Sequence, residues 1–167
     1  MNIPDLIAKL QDYETALGDG RDLTTDRAKS NHYATKMTVA RTLSGLKNLP
    51  ADLAREQQHL ADLEARRAVV VAKHEDVERE LEAATSVDFD AITDLRELDK
   101  AYDLVGQMKL RLRHLRAGAL VQAPGVFFER LDTLDTLIAE QTRRRDGVQS
   151  HLDACVVQAE ALLAVAV

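Results

Sequence analysis

The sequence predicts an all-α protein: a long antiparallel helical bundle built from coiled-coil-like hairpins, with three long helices and an N-terminal helical pair. Two observations carry that prediction. Apolar residues recur at alternating steps of three and four through residues 53–119, as Leu53, Leu60, Leu63, Val70, Val77, Leu81, Ala84, Ala91, Leu95, Leu98, Tyr102, Val105 and Leu112. The pattern returns through 127–166 as Phe127, Leu131, Leu134, Ile138, Val148, Leu152, Cys155, Ala159, Leu162 and Ala166. Such spacing places one apolar stripe along a helix that packs on other helices. The second observation is composition. Hydrophobic residues make up 46% of the 167, aromatics only 4%, and there is no Trp. Leu, Ala, Glu, Arg and Lys dominate, as in helix-on-helix cores.

The first helix is expected over 4–17, with Pro4 in its first turn and Gly18 at the left-handed position after its end. Gly18 to Asp22 reads as a loop. A second helix is expected over 25–47, where Tyr33, Met37, Val39, Ala40, Leu43 and Leu46 keep helical spacing despite many threonines of low propensity. Pro50 is expected to break the chain and start a third helix running to about residue 84. Thr85-Ser86-Val87-Asp88 favours a turn, because four poor helix formers stand in a row, although the heptad phase passes through it. A fourth helix is expected over 88–117, a turn between Gly118 and Pro124-Gly125, and a fifth helix from 126 almost to the end. Residues 1–48 then form an N-terminal pair packed on a bundle made by 49–167, one structural domain overall.

Charge suggests how the helices pair. In a hairpin about the 118–124 turn, Lys109, Arg111, Arg113 and Arg116 meet Glu129, Asp132 and Asp135, while Arg143, Arg144 and Arg145 meet Glu97, Asp99 and Asp103. Pairing of 50–84 with 88–117 brings like charges together instead, from Glu75, Asp76, Glu78, Glu80 and Glu82 to Asp88, Asp90, Asp94 and Glu97. Arg67, His74, Gln141 and Arg145 interrupt the apolar stripes, and polar residues there more often fix register than do chemistry.

Functional signals are sparse. Glu56-Gln57-Gln58-His59 matches one Glu-x-x-His element of a helical di-metal site, but such a site needs two elements and further carboxylates, so a solvated face is the expected reading. His32, His59, His74, His114 and His151 have no metal-ligand spacing, and the Gly18–Asp22 loop lacks the following Gly-Lys-Ser/Thr of a phosphate cradle. No cofactor and no enzymatic activity are expected. The lone Cys155 lies on the stripe as a small hydrophobe. No stretch reaches membrane-span length, Met1 to Asp5 does not resemble a secretory lead, and a cytoplasmic location is expected, of a host cell or virion if the protein is viral.

The expected function is therefore structural or adaptor-like, through self-association and protein docking, as an assembly factor, virion component or protein inhibitor. The candidate interface residues are Phe128, Val156, Val157, Leu162, Leu163, Val165 and Val167. The last six make the C-terminal end apolar on more than one face, which calls for cover by the first helix or by another chain, with a homo-oligomer expected. Phe128 follows Phe127 out of phase and is expected to face the second helix or a partner. The alternative is a nucleic-acid accessory protein whose phosphate contacts are Lys109, Arg111, Arg113, Arg116, Arg143, Arg144 and Arg145. A net charge of −6, acidic partners for the basic runs and the absence of interleaved aromatics weigh against it, and no membrane partner is expected.

Overall fold

The computed structural model describes residues 2–116, 121–123, 126–127 and 130–165. It is an all-α protein of four helices: α1 (Ile3–Leu17), α2 (Asp26–Thr85), α3 (Leu95–Arg116) and α4 (Leu131–Val165). A short antiparallel strand pair, β1 (Val121–Ala123) and β2 (Val126–Phe127), follows α3, with Val121 opposite Phe127. Phe127, expected on a helical stripe, is thus a strand residue, and the last helix starts at Leu131 rather than 126.

The chain divides into two compact units, residues 1–59 with 141–167, and residues 60–140. In the first unit, α1 ends at Gly18 as expected and is capped at its start by Asn2, which the sequence reading did not single out. The Asn2 side chain accepts from the Asp5 N–H at 2.9 Å, and Gly18 takes φ 64° at the other end. The Thr25 hydroxyl accepts from the Ala28 N–H at the start of α2. Leu6 and Leu10 of α1, Val39, Leu43 and Leu46 of α2, and Leu152, Cys155 and Ala159 of α4 make one buried cluster. Three helices converge there, so a wide stripe of each is covered.

Pro50 does not break the chain: α2 runs through it for 60 residues. Proline in a helix interior removes one backbone hydrogen bond and crowds the carbonyl four residues back, at about 3 kcal/mol. The packing on both sides outweighs that penalty. Leu43 and Leu46 before Pro50 are buried, and Leu49 and Leu53 around it pack on the same cluster, so a break would divide one continuous apolar face. The expected second and third helices are therefore one.

In the second unit, α2 meets α4 and α3 on successive stretches. Leu63 and Val70 bury against Leu134, with Leu131 and Ile138 beside them. Further along, Val77 buries against Leu112, with Leu81 beside it. The expected turn after residue 84 is present: α2 ends at Thr85, Asp88 caps a 3-10 turn over Phe89–Ala91, and α3 begins only at Leu95, seven residues later than expected.

The ion pairs differ from those the hairpin expectation assigned. Arg111 pairs with Glu80 of α2 at 3.1 Å, and Asp135 pairs with Arg67 of α2. Asp132 pairs with its neighbour Arg130, and Arg145 with Asp146. The Arg130 hydrogen bonds hold the Asp132 carboxyl below the usual carboxylate range. Helix α2 supplies the partners that α3 and α4 were expected to give each other. The like charges of the α2–α3 pairing are relieved by Arg111 on Glu80 and Arg79 on Asp76.

Candidate protein-docking surface

Helix α3 turns one apolar face to α2. Val105 and Leu112 are buried, and Leu98, Ala101 and Met108 are half-buried, a series at steps of three and four. Leu98, Val105 and Leu112 of the expected stripe lie on this face, whereas its Leu95 and Tyr102 do not. Both are exposed, at 75% and 59%, because the contact face lies to one side of the heptad line. Tyr102 stacks on Phe89 of the 3-10 turn, with ring centroids 4.8 Å apart, a favourable offset-stacking distance.

On the other flank of that contact, the end of α2 and the middle of α3 border an open groove of about 440 Å³. It is lined by Glu80, Ala83, Ala84, Val87, Leu104 and Met108. The positions follow from helical spacing: Glu80, Ala83 and Ala84 lie on one side of α2, Val87 follows its end, and Leu104 and Met108 lie on one side of α3. Val87 and Leu104 remain 42% and 46% exposed, and Leu110 is also exposed. Sequence reading placed none of these in a site. The available signal was Leu104 and Leu110, two leucines off the stripe of an otherwise amphipathic helix.

The surroundings are acidic. Residues 75–103 hold eleven carboxylates and three Lys or Arg, a balance of −8 against −6 for the whole chain. Asp88, Asp90, Asp94, Glu97, Asp99 and Asp103 have no ion pair among the described residues.

The candidate interface residues of the C-terminal helix divide in two. Val156, Leu162 and Leu163 pack on the cluster that α1 and α2 complete, so the covering element is α1 with α2. Val157 and Val165 stay exposed. Phe128 and Val167 lie outside the described residues.

The basic runs come to no common acidic partner. Arg111 and Arg145 are paired as above, while Lys109, Arg113, Arg143 and Arg144 are exposed without an ion pair among the described residues. The side chain of Arg116 is outside the description.

The polar interruptions of the stripes act across the α2–α4 seam. In the first unit, the buried Gln141 amide donates to the Glu56 carboxylate and, at 3.2 Å, to the Glu56 carbonyl. The Glu56 carboxylate is thereby occupied, while His59 faces solvent. Among the described residues no group of three His, Cys, Asp or Glu is placed to hold a metal ion. In the second unit, Arg67 donates to Asp135 at 2.5 Å, which raises the Arg67 pKa further. Among the described residues, no helix is long and apolar enough to cross a membrane.

No protein-family model, curated protein or solved structure matches this chain.

Proposed function

We propose that this protein is a non-enzymatic cytoplasmic adaptor that works by docking to another protein through the outer surface of the α2–α3 hairpin. The observation that supports the reading is the apolar groove there, where Val87 and Leu104 are 42% and 46% exposed. Single exposed hydrophobes are ordinary, but exposed apolar side chains that line an apolar groove mark a contact surface. This relocates the docking surface from the C-terminal helix, much of whose apolar face α1 and α2 already cover. Self-association through Val157 and Val165 stays part of the proposal as a weaker contact.

Site-specific photo-crosslinking tests it. A photoreactive residue at Leu104 should give discrete adducts in native cells, and the same residue at Val157 should give fewer. An adduct of twice the chain mass would mark self-association. Absence of adducts at both positions overturns the docking reading.

A second reading rests on the unpaired Lys109, Arg113, Arg143 and Arg144: weak phosphate contact with a nucleic acid. Binding to duplex RNA or DNA that falls steeply with salt would support it. No binding at low salt would remove it.

A further inference from the structure

We infer that the α2–α3 groove receives a cationic amphipathic helix of a partner protein. Its apolar stripe lies on Val87, Leu104 and Met108, and its Lys and Arg side chains lie on the unpaired carboxylates of residues 88–103. This rests on the docking reading above and names the occupant.

Three features define that occupant. First, the groove lies between α2 and α3, and the small side chains of Ala83 and Ala84 in its lining let a third helix approach closely. Apolar anchors at steps of three and four fit such a groove, as in other helix-in-groove contacts. Second, the only charge lining the groove among the described residues is Glu80, already held by Arg111 at 3.1 Å. The groove itself therefore offers an apolar contact with no stranded charge to bury. Third, residues 88–103 carry six carboxylates with no ion pair among the described residues, against Arg96 and Lys100, and Glu97 lies on the same side of α3 as Leu104. Their mutual repulsion falls when a cationic partner binds, and their field speeds its approach and rejects acidic helices.

A second copy of this chain is the competing occupant. Its Arg143 and Arg144 sit on α4, whose apolar stripe is already buried against Leu6, Leu10 and Leu46 in the first unit. Its Lys109 and Arg113 sit on α3 with the exposed Leu95, Tyr102 and Leu110, and sedimentation separates that outcome from capture of a partner helix.

The test uses the full chain and a labelled synthetic peptide of about 18 residues, five helical turns. Leu is placed on one face and Lys on the other. Two controls are a scrambled peptide of the same composition and a Leu/Glu peptide of the same pattern. Fluorescence anisotropy should show the patterned cationic peptide binding at least about tenfold more tightly than either control. Leu104→Ser and Val87→Ser should each weaken it by about tenfold with the thermal midpoint unchanged, since both residues are already part-exposed. Asp94→Lys with Glu97→Lys should weaken it and flatten its dependence on salt.

Equal binding of the patterned and scrambled peptides would reduce the effect to charge alone and overturn the inference. So would binding that is indifferent to Leu104→Ser, or a dimer in sedimentation that this substitution dissolves. Adducts at Leu104 that the cationic peptide fails to displace would overturn the occupant and leave docking standing. No adducts at Leu104 would overturn both.

Discussion

The two units use the same apolar spacing to different ends. In the first, α1, α2 and α4 converge, and eight buried residues form one cluster with nine further hydrophobics packed on it. In the second, α2 meets one helix at a time, and the buried clusters hold three residues and two. A heptad stripe is satisfied by a single partner helix, but the flanks of that stripe need a second. Where α1 supplies it, the flanks are covered. Where nothing among the described residues of the second unit supplies it, Leu95, Tyr102 and Leu104 remain in solvent. The difference separates a part that holds the fold from a part left open for contact.

The comparison breaks most readily in the large cluster. Leu10→Ala and Leu46→Ala remove side chains exposed by no more than 1%, and each should cost about 2–5 kcal/mol in guanidinium unfolding. Leu112→Ala, in the two-residue cluster, should cost less. An equal loss would mean the second unit is as tightly packed as the first.

Close approach of two helices gives the next effect. A Cβ on Gly45 would lie 2.5 Å from Cys155 Sγ, so Gly45→Ala should destabilise by about 1–3 kcal/mol. Adding Cys155→Ala vacates the space, and the double variant should recover a large part of the loss. A strictly additive double variant would show that the contact is not what limits the approach.

Burial pushes the Cys155 thiol above its ordinary value of 9.0. The folded chain therefore keeps that proton to higher pH than the unfolded chain. The stabilisation is full below pH 9.0 and is lost as pH rises through the folded value. Denaturation midpoints taken from neutral to alkaline pH should show a steeper fall than in Cys155→Ala. Parallel curves would remove this contribution.

The smallest effects belong to the exposed ion pairs of the second unit. Arg67→Ala and Arg111→Ala should each change stability by about 0–1 kcal/mol, shrinking further in high salt. A larger loss would make these pairs structural anchors and narrow the contrast between the units.

Helix existence was legible because spacing, caps and Gly18 all agree locally. The turn at Thr85 was legible for the same reason. Pro50 was misread because a local rule was decisive in isolation, whereas Leu43, Leu46, Leu49 and Leu53 are held by residues far away in sequence. The ion pairs were misassigned because charge identifies attraction without saying which helix lies alongside. Asp135 and Arg111 both found partners on α2, not on each other's helices. Arg67 and Gln141, two of the polar interruptions, each bond across to the facing helix. The groove was invisible because the expected stripe held Leu95, Leu98, Tyr102, Val105 and Leu112 alike, whereas the contact face of α3 keeps Leu98, Val105 and Leu112 and leaves Leu95 and Tyr102 in solvent.

The Gly45–Cys155 contact turns the chain's one thiol into a latch indicator. The buried Cys155 sulfur lies so close to Gly45 that no Cβ fits there while the helices are closed. Alkylation or oxidation of Cys155 thus has to wait for α2 and α4 to part. The rate at which a thiol reagent marks this residue is a clock for the breathing of the first unit, readable with no substitution at all.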